Sequence, residues 1–396
     1  MFYSVISVRC RRQPVVKKGL AKMKIGVAMS GGVDSSAVLG LLKEQGHEVL
    51  GLTLKILPCE ITPEENGAVK VKAVEPKGQR CCSVEDIQDA RQVALKLGAA
   101  HYVNEGLDVF RANVVDRFLD EYEQGLTPNP CVECNRFAKL PLLLQQALDL
   151  GCEKLATGHY ARLDKDPQTG RWRILKALDP DKDQSYVLYK LSQKLLSHLL
   201  FPLGEYKKEQ VRQNARRMEL DIAEKPESMD ICFVTQGSYR DFVKIHRPRA
   251  FVPGNIVDTQ GKVLGRHEGI AGYTIGQRKG LALSGGPYFV VELQPDTATV
   301  VVGRDEETFT REFSAGEMNW VAWEPITEPR EVMVKIRYRS TEQAVVLYPD
   351  GPKRVRVVLK EPARAVTPGQ SAVFYEGDGV IGGGIIQKPY SGSSVQ

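Results

Sequence analysis

The chain has 396 residues, 42% of them hydrophobic, and a formal net charge of +5. That length accommodates two or three domains with ordinary globular cores, and no apolar run is long enough to span a membrane. Residues 1–24 hold seven Lys/Arg and no acid; without them the balance is −2, so the body is near neutral and any RNA-binding face must be local.

Three readings of the basic head are open: untranslated sequence ahead of a start at Met23, a disordered arm over 1–22, or an organelle transit segment. Eight cysteines spread over the whole length form no disulfide framework, so a reducing compartment, the cytoplasm, is expected.

Short apolar runs then alternate with helical patterns. A strand over Lys24–Met29 leads through Ser30-Gly31-Gly32-Val33-Asp34-Ser35 into a helix, and a second strand covers 47–56. Residues 58–80, rich in Pro, Glu and Lys, read as a solvated insertion. Helices follow at 84–97, 109–124 and 137–150, with strands at 100–103 and 154–160. This βα repeat predicts a parallel sheet covered on both faces, with ligands at the carboxyl ends of its strands, where 30–35 and Gly158-His159 fall. From about residue 240 the texture turns to short β-branched runs among Gly and Pro (255–258, 298–302, 356–359). It predicts a small β-rich domain over 237–303 and a β-barrel over 304–390, after a catalytic α/β domain over 23–236. Lys335-Ile336-Arg337-Tyr338-Arg339 reads as a strand with basic residues on one face, suited to phosphate contacts.

The Gly-rich turn between strand and helix is a phosphate cradle: glycine lets backbone N–H groups approach phosphate oxygens, and the helix N-terminus adds positive dipole. It lacks the Gly-Lys-Ser/Thr ending of a Walker loop, so γ-phosphate transfer is not implied. Cys131-Val132-Glu133-Cys134 follows Thr127-Pro128-Asn129-Pro130 and precedes a helix; cysteines at a helix N-terminus favour thiolate and point to sulfur or redox chemistry, against the reading of a buried structural pair. No Cys/His pair has zinc spacing. Cys232, between Ile231 and Phe233, reads by itself as core, and Cys10, Cys59, Cys81, Cys82 and Cys152 read as structural or incidental.

The Ser30–Ser35 loop resembles that of the ATP-pyrophosphatases, which split ATP into AMP and pyrophosphate. A longer series of motifs resembles the tRNA-uridine 2-sulfurtransferases: Ala28–Ser35, Thr127–Pro130 with Cys134-Asn135-Arg136, and Ala156–Arg162. It continues in Lys182–Tyr186, Cys232-Phe233 and Gly272–Gly280, from about residue 23 to 388. The resemblance implies an adenine-nucleotide hydrolase-like first domain and thiolation of the wobble uridine of a tRNA anticodon. ATP would adenylate the uracil C2 oxygen, held by Ala28, Met29, Ser30, Gly31, Gly32, Val33, Asp34 and Ser35 with Leu54 and Gly158, and Asp34 would face Mg²⁺. Cys232 would carry a persulfide and Cys134 assist its release, leaving a transient Cys134–Cys232 disulfide. The resemblance places Asn129, Pro130 and Cys131 on the target base. It places His159, Lys182, Asp183, Gln184, Arg337, Tyr338 and Gln370 on tRNA. It also implies a monomer served by a sulfur carrier or a cysteine desulfurase.

One departure opens a second mechanism. Many members have Asp where this chain has Cys131, and that Asp is taken to assist catalysis. Cys131, Cys134 and Cys232 together suit a [4Fe-4S] cluster with one open iron site that delivers sulfide. The persulfide relay is preferred. Another adenylating ligase of the same superfamily and a non-catalytic RNA-binding protein are the competing functions.

Overall fold

The computed structural model describes residues 22–56, 59–63, 69–73, 84–226, 231–234 and 237–388. The basic head up to residue 21, Cys10, Cys81, Cys82 and the tail beyond 388 lie outside them.

The first unit is built on β1 (Lys24–Ala28), α1 (Val33–Glu44) and β2 (Glu48–Lys55). Nearly every residue of β1 and β2 is buried, the pattern of strands covered on both faces. The expected insertion contains an antiparallel hairpin, β3 (Cys59–Pro63) with β4 (Val69–Ala73). Its β-branched Ile61, Thr62, Val69 and Val71 favour a ladder that the Pro/Lys composition of the segment obscures. Then come α2 (Val84–Lys96), β5 (Ala100–Glu105), β6 (Lys154–Thr157), the hairpin β7 (Ala161–Lys165) and β8 (Trp172–Lys176), and β9 (Leu199–Leu200). The sheet order is β5-β2-β1-β6-β9, every pairing parallel. One hydrophobic cluster lies on each face.

The helix expected from residue 137 starts earlier, with Pro130 in its first turn, where a missing N–H costs nothing. It runs through a π-helical stretch, Cys134–Lys139, into Leu140–Asp149. The helix over 107–123 contains a second π stretch, Arg111–Val115.

The second unit is a four-stranded sheet of order β11-β10-β13-β12, from β10 (Gly254–Asp258), β11 (Val263–His267), β12 (Phe289–Gln294) and β13 (Thr299–Gly303). Ile256, Tyr273, Val290, Val300 and Val302 fill its core.

The third is a closed barrel. Its six strands are β14 (Phe309–Trp320), β15 (Arg330–Lys335), β16 (Gln343–Pro349), β17 (Arg354–Arg364), β18 (Ser371–Glu376) and β19 (Gly379–Ile386). They follow the antiparallel order β14-β17-β16-β15-β18-β19, and β14 closes on β19, which leaves no free edge in the ring. The strand expected over 335–339 ends at Lys335. Ile336–Arg339 turn instead, because the Ser340 hydroxyl and amide both bond back to Arg337. The basic side chains there do not form an alternating strand face.

The barrel is not a detached module. β19 pairs with β8 at Gly379 and Leu175, so the β7–β8 hairpin extends the barrel wall. Val321, Val373, Tyr375 and Val380 belong to the same hydrophobic cluster as the helices of the first unit. Three buried tyrosines complete the seam. The Tyr186 hydroxyl donates to the Ser371 carbonyl at 2.8 Å, Tyr189 to the Ser371 hydroxyl at 3.1 Å, and Tyr375 lies 3.3 Å from the Ser185 hydroxyl. Burial raises the Tyr186, Tyr189 and Tyr375 phenols above their ordinary value, so all three stay neutral.

Tyr186→Phe leaves a buried carbonyl without its donor. It is expected to cost about 1–2 kcal/mol, seen as a lower melting temperature of the full chain; an unchanged melting temperature would show that the seam does not contribute to stability.

Candidate functional site

The phosphate cradle forms where β1 ends. The Ser30 N–H donates to the Ser35 hydroxyl at 3.1 Å, and that hydroxyl donates to the Gly32 carbonyl at 3.2 Å, which closes the loop on itself. Gly31 has φ of +69°, and a Cβ there would lie 2.3 Å from the Asp86 carbonyl oxygen, so only glycine fits. Gly32 caps α1 with no side-chain hydrogen bond, so no side chain of the loop satisfies the first-turn N–H groups. Gly158, just past the end of β6, faces the same turn: a Cβ would sit 3.0 Å from the Ser35 nitrogen. Ala28, Met29, Val33 and Leu54 are buried, Ala28 and Leu54 in one hydrophobic cluster and Met29 and Val33 in the other. The residues expected on ATP are thus brought together at the carboxyl ends of β1, β2 and β6.

Sequence reasoning missed two lysines here. Lys208, in the first turn of the helix Lys208–Arg217, places its ammonium 2.8 Å from both Asp34 oxygens, and the Tyr160 hydroxyl donates to one of them at 2.8 Å. Lys225 reaches the Gly31 carbonyl at 3.2 Å, Asp86 at 2.7 Å and Asp89 at 2.6 Å. Burial opposes its charge, but the two carboxylates hold the ammonium above its ordinary value. Neither lysine has a local sequence signature, since each meets the loop from more than 170 residues away.

The cysteine loop is held from outside its own unit. Thr127 donates its N–H to the Pro368 carbonyl at 2.9 Å, and the Gln370 amide donates to the Thr127 and Pro128 carbonyls at 2.9 and 3.3 Å. The helix then starts at Pro130 with Cys131 exposed and Cys134 half-buried. Asn135 donates to the Val187 carbonyl at 3.2 Å. Cys232 is half-buried on a turn whose neighbour Phe233 packs edge-on against Phe118 and Phe110, with ring centroids 5.1 and 5.8 Å away. Cys134 and Cys232 pack against the same hydrophobic cluster.

Among the described residues no group of three or more Cys, His, Asp or Glu is disposed to hold a metal ion. Cys131 is exposed, while Cys134 and Cys232 are half-buried and pack against one hydrophobic cluster. Mg²⁺ is a different case, since it needs only one or two carboxylates and takes its other ligands from phosphate and water. Asp34 fits that demand.

Several residues expected on tRNA have internal duties. His159 is buried, its Nδ1 2.8 Å from the Thr157 hydroxyl. Burial, with Lys139 nearby, pushes its pKa well below the ordinary histidine value. Asp183 accepts from the Ala177 and Ser185 N–H groups and the Ser185 hydroxyl. Gln184 exchanges hydrogen bonds with the backbone of Tyr160. Arg337 donates to the Ala365 carbonyl and, at 3.0 Å, to the Thr367 hydroxyl. Tyr338 packs edge-on to Tyr186, and Lys182 is half-exposed one residue before Asp183. Tyr338 and Gln370 meet the first unit at the barrel seam, through Tyr186 and the Thr127–Pro128 loop. His159 and Asn129 lie on the two loops the resemblance assigned to tRNA and the base.

A parallel sheet carrying a Ser-Gly-Gly-Val-Asp-Ser loop between β1 and α1 defines a nucleotide-binding domain of the ATP-pyrophosphatase class. Family models match all three units: the "tRNA methyl transferase HUP domain" over residues 23–236, its PRC-barrel domain over 240–304, and the "Aminomethyltransferase beta-barrel domain" over 310–386. The tRNA-specific 2-thiouridylase MnmA of Carboxydothermus hydrogenoformans is 46% identical over 93% of this chain and 99% of its own length. That of Acetivibrio thermocellus is 45% identical over 93% and 100%, and that of Clostridioides difficile 42% over 92% and 98%. The chain belongs to the tRNA-specific 2-thiouridylase family.

His159 is held neutral, whereas an unfolded histidine takes a proton near pH 6.5. The unfolded state then binds more protons, so this contribution to stability is present above about pH 6.5 and is lost as pH falls below it. His159→Gln should flatten the acid side of the stability–pH curve by up to one proton, measured by denaturant titration from pH 5 to 7. An unchanged slope would mean that His159 is protonated in the folded chain.

Proposed function

We propose that this chain carries out the ATP-dependent 2-thiolation of the wobble uridine in tRNA anticodons, as a sulfurtransferase. The observation that carries the reading is the presence in one chain of a loop–helix anion site and of Cys134 and Cys232 on one hydrophobic body.

The uracil C2 oxygen is a poor leaving group, and transfer of AMP to it with release of pyrophosphate makes it a good one. The backbone N–H groups of Ser30–Ser35 and the first turn of α1 hold the phosphates, with Gly158 admitting close approach. Leu54 lies on the adenine side. Asp34 would hold Mg²⁺, which supplies charge neutralisation of the phosphates; Lys208 then passes from Asp34 to the nucleotide. Asn129, Pro130 and Cys131 lie on the base, and an unstacked anticodon-loop uridine suits such a pocket. His159, Lys182, Asp183, Gln184, Arg337, Tyr338 and Gln370 form the tRNA side. Their internal bonds mean that Asp183 and Gln184 act by shaping backbone rather than by offering side chains.

Sulfur arrives as a persulfide on Cys232. Its terminal sulfur attacks C2, the Cys134 thiolate attacks the inner sulfur, and the S–S bond breaks with its electron pair going to the sulfur left on C2. AMP departs with the former O2. The two electrons that turn sulfane sulfur into thione come from Cys134 and Cys232, which end as a disulfide to be reduced. A reducing cytoplasm, a persulfide donor of carrier or cysteine-desulfurase type, and a monomeric enzyme fit this cycle. The catalytic unit spans 23–236, with the smaller β units at 237–303 and 304–390 supplying tRNA contacts.

Cys134→Ala and Cys232→Ala should each lower thiolation on the order of a thousandfold while tRNA-dependent pyrophosphate release stays within a few-fold of the parent. Cys131→Ala should retain substantial thiolation, followed by mass spectrometry of 2-thiouridine. Full thiolation by either alanine variant of Cys134 or Cys232 would instead favour an adenylating ligase that uses no cysteine. Tight tRNA binding with no pyrophosphate released by the parent would mark a binding protein.

A further inference from the structure

We propose that the buried Glu133–Lys190 ion pair is a positioning device for Cys134 that ties this thiol to the C-terminal barrel. The inference rests on the reading of Cys134 as the thiol that completes sulfur transfer.

Glu133 directly precedes Cys134 and is 6% exposed; Lys190 is 5% exposed. The Lys190 ammonium lies 2.6 Å from Glu133 Oε1 and 3.3 Å from Glu317 Oε2 on β14. Arg117 joins the same group, bonded to Glu317 at 3.1 and 3.2 Å and to Glu121 at 2.6 Å, and 3.7 Å from Glu133 Oε2. Arg136 stands 3.8 Å from that oxygen, which makes no hydrogen bond. Three carboxylates thus face three cations. Against the cost of burial, Lys190 and Arg117 hold the Glu317 carboxyl below its ordinary range, so it stays charged.

A buried ion pair is a weak device for stability, because desolvation offsets the attraction and an apolar pair of similar volume often serves as well. Its geometric content is different. Glu317 adopts a left-handed φ of 49° in the middle of β14, where the pairing with β19 shifts register. That conformation is unfavourable outside glycine, and the carboxylate it carries meets Lys190 and Arg117. The turn that carries Cys134 is therefore pinned on three sides by other parts of the chain. Gln370 holds the Thr127 and Pro128 carbonyls, Asn135 holds Val187, and Glu133 holds Lys190 and through it the barrel. The groups that orient Cys134 thus include residues of the barrel, Glu317 and Gln370. The Glu133–Lys190 pair also sets the local field: Glu133 disfavours a thiolate next to it, and Lys190 cancels that effect.

Peptide-resolved alkylation by iodoacetamide at pH 8 reads Cys134 in the full-length, reduced protein without needing turnover. Lys190→Met should slow alkylation of Cys134 about three- to tenfold, Glu133→Gln should speed it, and the double variant should return to within about twofold of the parent. Thiolation kcat should fall in Lys190→Met with the KM for tRNA unchanged, and recover in part in the double variant. Loss of packing alone cannot give opposite signs and mutual rescue. Where Lys190→Met does not fold, Glu317→Gln at the half-exposed rim decides: it removes a negative charge and should speed Cys134 alkylation. Equal alkylation rates in all folded variants, or a double variant slower than Lys190→Met, would overturn the proposal. Thiolation that persists in Cys134→Ala would overturn the underlying reading instead, and leaves the alkylation result to stand separately.

Discussion

The molecule depends on the close approach of two strand ends. β1 lies between β2 and β6 in parallel register, so the loops that follow β1 and β6 leave the sheet side by side. Gly158 then comes within van der Waals reach of the first turn of α1, close enough that a methyl group would press on the Ser35 nitrogen. Parallel strands cannot be joined by tight turns, and the helices that connect them cover the sheet and leave its carboxyl edge open. The nucleotide loop, the Asp34 carboxylate and the lysines that reach it follow from that edge.

The second constraint is that the barrel shares a core with the first unit. Ser371 receives two buried tyrosines, the β7–β8 hairpin joins the barrel wall, and Gln370 grips the loop before the cysteines. Buried hydroxyls and carbonyls must find partners, and here those partners lie across the seam, which favours one relative placement of the two units. The Pro368 carbonyl and the Gln370 amide of the barrel thus lie against the loop that precedes the cysteines.

What could be read from the residues depended on range. The βα alternation, the loop–helix cradle and the change to β texture near residue 240 are local patterns and appear in the fold as expected. The expected strand over 335–339 stops at Lys335 because Ser340 bonds back to Arg337, a turn contact that the alternation of basic residues does not reveal. The hairpin at 59–73 was hidden by its Pro- and Lys-rich neighbours. Spacing along the chain does not show that Cys134 and Cys232 pack against one hydrophobic cluster while Cys131 is exposed.

The amino-acid sequence by itself determined the parallel α/β domain with its phosphate loop, the β-rich second half, the cysteines of interest and the family resemblance. All of these rest on neighbours within a few residues or on motifs in fixed order. Tertiary structure alone decided that Lys208 meets Asp34, that Lys225 meets the Gly31 loop, and that Glu133 is buried against Lys190 and Glu317. It also turned His159 and Asp183 inward. These contacts join residues separated by up to about two hundred positions. Their partners are set by how three cores pack, and no local periodicity encodes that.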